Sequence, residues 1–184
     1  MAEVQNRGAT LRRIVTAVNK EGKSVVALDG GASPVLEYPG GTGLYEIWTD
    51  KDEPLDRQSE DFETGPVLLC PPPRGLKLRW TVLAPGQEGS SHEDLVKFYD
   101  QAFTDIGALG DRPDTSVHPG MHQTKTLDFI ILIEGKLRLI LEDDERVLEP
   151  GDVAVQRGTN HAWVCEGDTP AVFVAVLIDK EIAA

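Results

Sequence analysis

Two stretches decide the fold of this 184-residue chain: HPGMHQTKTLDFIILIEG at residues 118–135 and GDVAVQRGTNHAWVC at residues 151–165. Each joins a run of aliphatic and β-branched residues to glycines and a histidine. The segments around them break at Glu-Gly, Pro-Gly and Gly-Asp pairs, which favour turns. Short strands at such close intervals are typical of a sandwich or of a barrel that closes to remove its edges. We therefore predict an all-β fold.

The residues before these stretches extend the strand pattern. Residues 11–18 and 24–30 predict two strands joined by the tight turn NKEGK, and LYEIWT at residues 44–49 predicts another. LKLRWTVLAP at residues 76–85 alternates Leu, Leu and Trp with Lys, Arg and Thr, as a half-buried strand does. The acid-rich residues 50–63 predict a solvated loop.

One segment predicts a helix. Ser91 is a typical N-cap, and Gly107 is a typical helix stop. Apolar residues at positions 95, 98, 102 and 106 follow helical spacing between them. His92 falls at the start of this helix and is expected to be exposed.

The charge of the chain excludes some partners. Lys and Arg total 18 and Asp and Glu total 31, which gives a net charge of −13. Nucleic-acid binding and adsorption to an anionic membrane both need a basic surface, so neither is expected. The chain lacks an apolar run of roughly 20 residues and a signal-peptide core, which predicts a cytoplasmic protein. Cys70 and Cys165 are then expected to be reduced.

The first stretch resembles the first motif of the cupin superfamily. That motif has a glycine, a His-x-His pair and a glutamate, and then a glycine after six further residues. Here His122-Gln123-Thr124 takes the place of the His-x-His pair, Asp128 takes the place of the glutamate, and Gly135 follows after six residues.

The second stretch resembles the second cupin motif, Gly-x5-Pro-x-Gly-x2-His-x3-Asn. Gly151 begins it, QRG at residues 156–158 replaces Pro-x-Gly, and His161 is the histidine. The spacing before QRG is one residue short, and Cys165 stands where the asparagine would be.

The resemblance implies a cupin double-stranded β-barrel of jelly-roll type with an N-terminal strand extension and one short helix. Residues 1–110 are predicted to form that extension and the helix, packed on the barrel. Residues 111–184 carry the core motifs, and the whole is expected to be one domain. Because cupins commonly dimerise and extra strands can add to a partner's sheet edge, we also predict a homodimer.

The resemblance also implies a metal site. Metal-binding cupins supply two histidines and a glutamate from the first motif and a histidine from the second. Carried over, this leaves His122, Asp128 and His161 as ligands for Fe(II), Zn(II) or Mn(II), with open positions. Thr124, in place of the second histidine, is a poor ligand, and Asp128 is one methylene shorter than glutamate. No organic cofactor is expected.

A metal-free interpretation of the same residues stays open. His122 and His161 can hydrogen-bond within a polar barrel, and Asp128 can orient the His161 imidazole. His118, Asp128 and His161 can then carry general acid–base catalysis. His118 is either a further ligand from a loop or a polar residue at the barrel mouth.

Four further residues are candidates for substrate binding. Thr124 and Gln156 can donate hydrogen bonds within the pocket. Arg138, if it faces inward, can pair with a substrate carboxylate, although an outward position is the commoner one. Trp163 shares a face with His161 by strand alternation and is either a wall for an aromatic substrate or part of the core. Tyr45, Trp48 and Trp80 are candidates for lining the pocket or a dimer contact; Met121 is expected to pack in the barrel.

The predicted function is that of a small-molecule enzyme. A lyase or isomerase reaction, such as decarboxylation or dehydration of an oxygenated organic acid or polyketide-like substrate, suits ionisable residues converging inside an apolar barrel. An iron-dependent dioxygenase and a non-catalytic metabolite-binding cupin are the alternatives.

Overall fold

A computed structural model describes residues 11–59, 65–86 and 89–183. The strands are β1 (Arg12–Val18), β2 (Ser24–Gly31), β3 (Val35–Glu37), β4 (Gly43–Asp50), β5 (Leu76–Leu83), β6 (Thr126–Glu134), β7 (Leu137–Ile140), β8 (Glu145–Leu148), β9 (Val153–Gln156), β10 (Ala162–Cys165) and β11 (Ala171–Asp179). The helix α1 spans His92–Asp105, and a short 3₁₀ turn follows at Leu109–Asp111.

The strands form an all-β barrel of jelly-roll type, as predicted. Its larger sheet has the order β3-β4-β5-β11-β6-β9, and its smaller sheet has the order β10-β7-β8. Strands β1 and β2 pair with each other as a separate antiparallel hairpin. The larger sheet takes three strands from residues 1–110 and three from residues 111–184, so both parts of the chain build it.

Strand β6 shows how the sequence places side chains inside the barrel. Its even-numbered residues, from Thr126 through Asp128 and Ile130 to Leu132, are buried, while their neighbours are half-buried or exposed. Successive side chains of a strand point to opposite faces, so one inner row carries both an acid and the apolar core. The core itself joins this row to Phe173 on β11.

Strand β5 is half-buried as predicted, but its buried side is the polar one. Lys77, Arg79 and Thr81 are buried, whereas Leu78 and Trp80 on the other side are only half-buried. Glu46 on the neighbouring strand β4, which is fully buried, supplies the charge that lets two cations face inward.

The helix begins and ends where the sequence predicts. The Ser91 hydroxyl accepts a hydrogen bond from the Asp94 amide at 3.1 Å, and Gly107 takes the positive φ of 67° that ends the helix. His92 is exposed at its first turn. Tyr99 and Phe103 are its buried side chains, and they pack toward the barrel.

Several other predictions can be placed on the structure. Residues 51–59 of the predicted acidic loop contain no helix or strand, and residues 60–63 of it lie outside the described residues. Cys70 and Cys165 are free thiols, and Met121 is fully buried, as expected. No helix in the described ranges is long and apolar enough to cross a bilayer.

Candidate active site

The barrel and helix α1 line a cavity of about 150 Å³. Most of its wall is apolar or aromatic, and α1 supplies one side of that wall. Four ionisable barrel residues also line it, so polar groups converge on an otherwise apolar space, as in many small-molecule sites. These are Arg79, His122, Asp128 and His161. The aromatic wall consists of Tyr38, Phe98, Tyr99, Phe103, Trp163 and Phe173.

The main chain holds the two motif histidines side by side. The His122 amide donates to the His161 carbonyl at 2.8 Å, and the His161 amide donates to the His122 carbonyl at 2.9 Å. This isolated bridge joins the loop before β6 to the start of β10. It brings the two imidazole centroids to 4.3 Å.

Both imidazoles are oriented through Nδ1. His122 Nδ1 lies 3.0 Å from the Gly120 carbonyl, and His161 Nδ1 lies 2.9 Å from the Thr159 carbonyl. Since a carbonyl oxygen only accepts, we assign the proton to Nδ1 in each ring, which leaves the Nε2 lone pair of the neutral form free.

Burial keeps both imidazoles neutral at pH 7. It lowers the pKa of His122 to about 4, although the bond to Gly120 acts in the opposite direction. The pKa of His161 also lies well below its usual value, first because of burial and then because of His122 beside it. Two neutral imidazoles are proton acceptors, not cations.

Asp128 is the acid of the site. Its side chain is on the inner row of β6, 4% exposed, and its Oδ1 atom has no hydrogen-bond partner among the described residues. Burial raises the pKa of Asp128 to about 6, while a hydrogen bond from Thr126 and the charge of Arg79 act against that rise. Its carboxyl therefore exchanges a proton close to neutral pH.

His118, the third predicted catalytic residue, lies outside the cavity lining. Its Nδ1 accepts a hydrogen bond from the Gly120 amide at 3.0 Å, and its ring meets the Tyr99 ring edge-on at 5.4 Å. Burial lowers the pKa of His118. The residue supports the loop that carries His122 and has no direct access to the cavity.

Two of the four predicted substrate-binding residues, Thr124 and Gln156, do not line the cavity and instead hydrogen-bond to residues next to it. Thr124 is buried, and its hydroxyl is hydrogen-bonded to the Thr126 hydroxyl at 2.6 Å. Gln156 Oε1 accepts hydrogen bonds from the amide and hydroxyl of Thr159, at 3.1 and 2.5 Å. This contact fixes the turn whose carbonyl orients His161.

Of the other two, Trp163 lines the cavity and Arg138 does not. Trp163 lines the cavity, meets His161 edge-on at 5.6 Å and packs on Phe173. Arg138 does not line the cavity: its Nε donates to Glu166 at 2.6 Å, so its fork faces away from the site. The inward-facing alternative for Arg138 is therefore corrected, because a carboxylate on the outer side takes its guanidinium.

The cavity also contains residues that sequence reasoning missed. Arg79 on β5 is 2% exposed and lines the cavity, and Phe103 on α1 has its ring centroid 5.0 Å from that of His122. The alternation of Lys, Arg and Thr along β5 was a usable signal for Arg79. The apolar face of α1 was the signal for Phe103, but nothing in the sequence said what that face covers.

The predicted metal ligands do not form a metal-binding cluster. No group of three or more His, Cys, Asp or Glu side chains in the described part of the chain is arranged to hold a metal. The His122 and His161 rings lie side by side, but Asp128 forms no metal-binding group with them, and the Thr124 hydroxyl is already hydrogen-bonded to Thr126. The donor set does not fit the implied metal.

Comparisons with known proteins agree with the motifs. The family described as Cupin domain (Cupin_2) matches residues 112–177. Oryzines biosynthesis cluster protein J of Aspergillus oryzae is 55% identical over 51 residues, 25% of this chain and 28% of that protein. Cupin-domain-containing oxidoreductase fogC of Aspergillus ruber is 36% identical over 67 residues, 34% of this chain and 33% of that protein. The chain thus spans about a third or less of these curated relatives.

The structure of the chain was also compared with solved structures. The Cupin 2 conserved barrel domain protein from Salinispora arenicola is 17% identical, with a TM-score of 0.42, over 78% of this chain and 81% of that one. The family match covers the two bridged histidines and Asp128. The similarity to the Cupin domain family therefore lies in residues 112–177, which contain both motifs.

Proposed function

We propose that this chain is a small-molecule enzyme that moves a proton on an oxygenated organic acid, in a lyase or isomerase reaction such as decarboxylation or dehydration. One observation carries the proposal. A buried carboxyl with an unpartnered oxygen and two neutral imidazoles with free Nε2 atoms line the same apolar cavity.

The three groups have complementary roles. An acid–base catalyst works best when its pKa lies near the working pH, and the pKa of Asp128 is about 6. As a carboxylate, Asp128 can take a proton from carbon beside a carbonyl; once protonated, it can return that proton to carbon or to a departing oxygen. The Nε2 atoms of His122 and His161 accept hydrogen bonds from substrate hydroxyls and hold them in place.

The walls of the cavity support this chemistry. Aromatic side chains from α1 and the barrel line the cavity, and electrostatic interactions are stronger in apolar surroundings than in water. Flat aromatic surfaces on both sides suit a planar or ring-bearing substrate.

The relatives support a role in secondary metabolism. They include proteins of the oryzines and phomopsin biosynthesis clusters and cupin-domain-containing oxidoreductases. The word oxidoreductase in three of their names favours an oxidation reaction as a second candidate, for which an iron-dependent dioxygenase is the form to test; the donor set of the described residues weighs against it. Iron near one atom per chain, together with oxygen consumption during turnover, would support that candidate over proton transfer.

Hydrogen exchange tests the proposal directly. Phenylpyruvate, which has an aromatic ring, a carbonyl and a carboxylate, is incubated with the protein in D2O, and loss of its benzylic proton signal is followed by NMR. We expect exchange above the uncatalysed rate. Asp128→Asn and His161→Ala should abolish the excess, whereas His92→Ala, at the exposed start of α1, should keep it.

Three outcomes separate the candidates. Exchange that survives Asp128→Asn and His161→Ala in folded protein would contradict the proposed roles. Saturable binding of phenylpyruvate without exchange or oxygen uptake would favour a metabolite-binding cupin. Circular dichroism of each variant shows whether the fold is intact.

A further inference from the structure

A buried ionic cluster lies beside the cavity on strands β4 and β5. Glu46, Lys77 and Arg79 are 0%, 2% and 2% exposed. The Glu46 carboxylate lies 2.6 Å from Arg79 Nη2 and 3.5 Å from Lys77 Nζ. One carboxylate faces two cations, so the cluster has an excess of one positive charge when all three groups are ionised.

Of these three, only Arg79 lines the cavity. Lys77 Nζ donates to the Leu68 carbonyl at 3.0 Å, and Arg79 donates to the same carbonyl. The hydrogen bonds of Arg79 to Glu46 and to the Leu68 carbonyl both leave from Nη2. Its Nε atom is buried and has no acceptor in the described part of the chain.

Arg79 differs from Arg13 and Arg112, whose Nε atoms are also buried without a partner among the described residues, because only Arg79 lines the cavity. Glu46 already has Lys77 as a counterion, and a second buried cation beside an apolar cavity has a desolvation cost that one carboxylate cannot offset twice. Burial accordingly lowers the pKa values of both Lys77 and Arg79. The Asp128 carboxylate acts on Arg79 through its charge but forms no ion pair with it, so a negative group in the cavity would supply the acceptor that the Arg79 Nε–H lacks.

Asp128 provides a second unpartnered polar atom in the cavity, counted among the described residues. Its Oδ1 is also buried and without a partner among the described residues, and it lines the same cavity as Arg79, with no ion pair joining the two side chains. A ligand with an anionic oxygen for Arg79 and a second polar group for Asp128 would satisfy both atoms at once.

We propose that Arg79 anchors the substrate by its negative group, and that the substrate is a small monoanion, a carboxylate with an aromatic or apolar body. This inference rests on the proposed function, since it takes the cavity to be the substrate site. It assigns the carboxylate contact to Arg79 and leaves proton transfer to Asp128 and the histidines.

Binding of a matched pair of probes tests the proposal without any turnover. Benzoate and benzamide have nearly the same shape, but only benzoate is an anion. A hydrogen bond to a charged group favours benzoate by about 10- to 100-fold in Kd, and calorimetric titration of the full chain at pH 7.5 measures both affinities.

Variants show whether Arg79 causes the preference. Arg79→Gln should bind benzoate and benzamide equally. If that variant fails to fold because Glu46 loses its nearer counterion, Glu46→Gln/Arg79→Gln removes both partners together. Arg13→Gln is the matched control, because Arg13 is also a buried strand arginine but does not line this cavity.

The outcomes are decisive either way. Equal binding of the two probes, no binding of benzoate, or an unchanged preference in the folded Arg79 variants would overturn the proposal. Deuterium exchange without a benzoate preference would keep the proposed enzyme and reject the Arg79 anchor. A benzoate preference without exchange would keep the anchor and reject the enzyme.

Discussion

Burial of Asp128 brings its pKa close to neutral pH and makes its ionised form destabilising for the fold. Its pKa rises from 3.8 to about 6 in the folded chain. A carboxyl whose pKa is raised by folding contributes stability below pH 3.8 and loses that contribution as the pH rises through 6. At pH 7.5 the buried carboxylate is therefore destabilising.

We expect Asp128→Asn to raise the free energy of unfolding at pH 7.5 by up to about 3 kcal/mol, because the amide cannot ionise. Urea unfolding at pH 7.5 measures the change. Asp168→Asn, in an exposed turn, should leave the stability unchanged. An Asp128→Asn variant that is less stable than wild type at pH 7.5 would contradict this prediction and show that the folded chain stabilises the carboxylate.

The histidine pair has the opposite dependence on pH. The pKa of His122 is lowered from 6.5 to about 4 on folding, so its contribution is present above pH 6.5 and is lost as the pH falls through 4. Between pH 4 and 6 the effects of Asp128 and His122 oppose each other in wild type. Asp128→Asn should therefore lose stability more steeply on acidification over this interval, and urea unfolding at half-unit pH steps would show it.

At the scale of elements, helix α1 is a wall of the site as well as part of the fold. The Arg112 guanidinium lies 5.0 Å from the Phe103 ring centroid and pairs with Asp100 on the same helix. The Tyr38 hydroxyl donates to Asp105 at 3.1 Å. These contacts hold α1 against the barrel, so Phe103 closes the cavity next to His122.

Phe103→Ala should cost about 3–5 kcal/mol in unfolding free energy, because it removes a large side chain that is 6% exposed. Thermal or urea unfolding gives the value. Phe129→Ala is the control, since Phe129 is on the half-buried side of β6 and should cost clearly less. Equal losses in the two variants would mean that α1 does not pack on the barrel as described.

The periodicity of the sequence predicted the strands β5 and β6, but not what packs against each of their faces. The alternation along β5 and β6 showed which residues share a face, but not which face is inside the barrel. Arg79 became an inner residue because Glu46, 33 positions away, lies next to it across β4 and β5. Arg138 occupies a similar alternating position and pairs outward with Glu166. Such pairings join distant residues, so a single sequence does not reveal them.

Unlike Arg79, the two motif histidines could be identified as site residues from the sequence. Their spacing to glycines within one motif is local, so His122 and His161 could be singled out from the sequence alone. The hydrogen bonds that orient them are also local, each reaching a carbonyl two residues before the histidine. In the metal-free alternative Asp128 can orient His161, but in this structure the Thr159 carbonyl is the partner of His161 Nδ1.

At the scale of the whole molecule, the β1–β2 hairpin is the feature that bears on association, because it presents exposed apolar side chains. In the described residues its strands form ladders only with each other, and the outer edge of β1 makes one backbone hydrogen bond, from the Val18 amide to the Arg57 carbonyl. Ile14 and Val26 on the hairpin are 53% and 61% exposed. Free strand edges with exposed apolar residues are common sites of chain-to-chain pairing.

We therefore predict that two copies of the chain associate through this hairpin. Sedimentation velocity should give twice the chain mass of 20.1 kDa, and Ile14→Glu/Val26→Glu should give the single-chain mass, because two buried carboxylates per copy would oppose association. Val117→Glu is the control: that valine is 52% exposed in a loop far along the chain from the hairpin, and its change should leave the dimer intact. A wild-type chain that sediments as a monomer at all concentrations, or a dimer that persists in the double variant, would place the association elsewhere or rule it out.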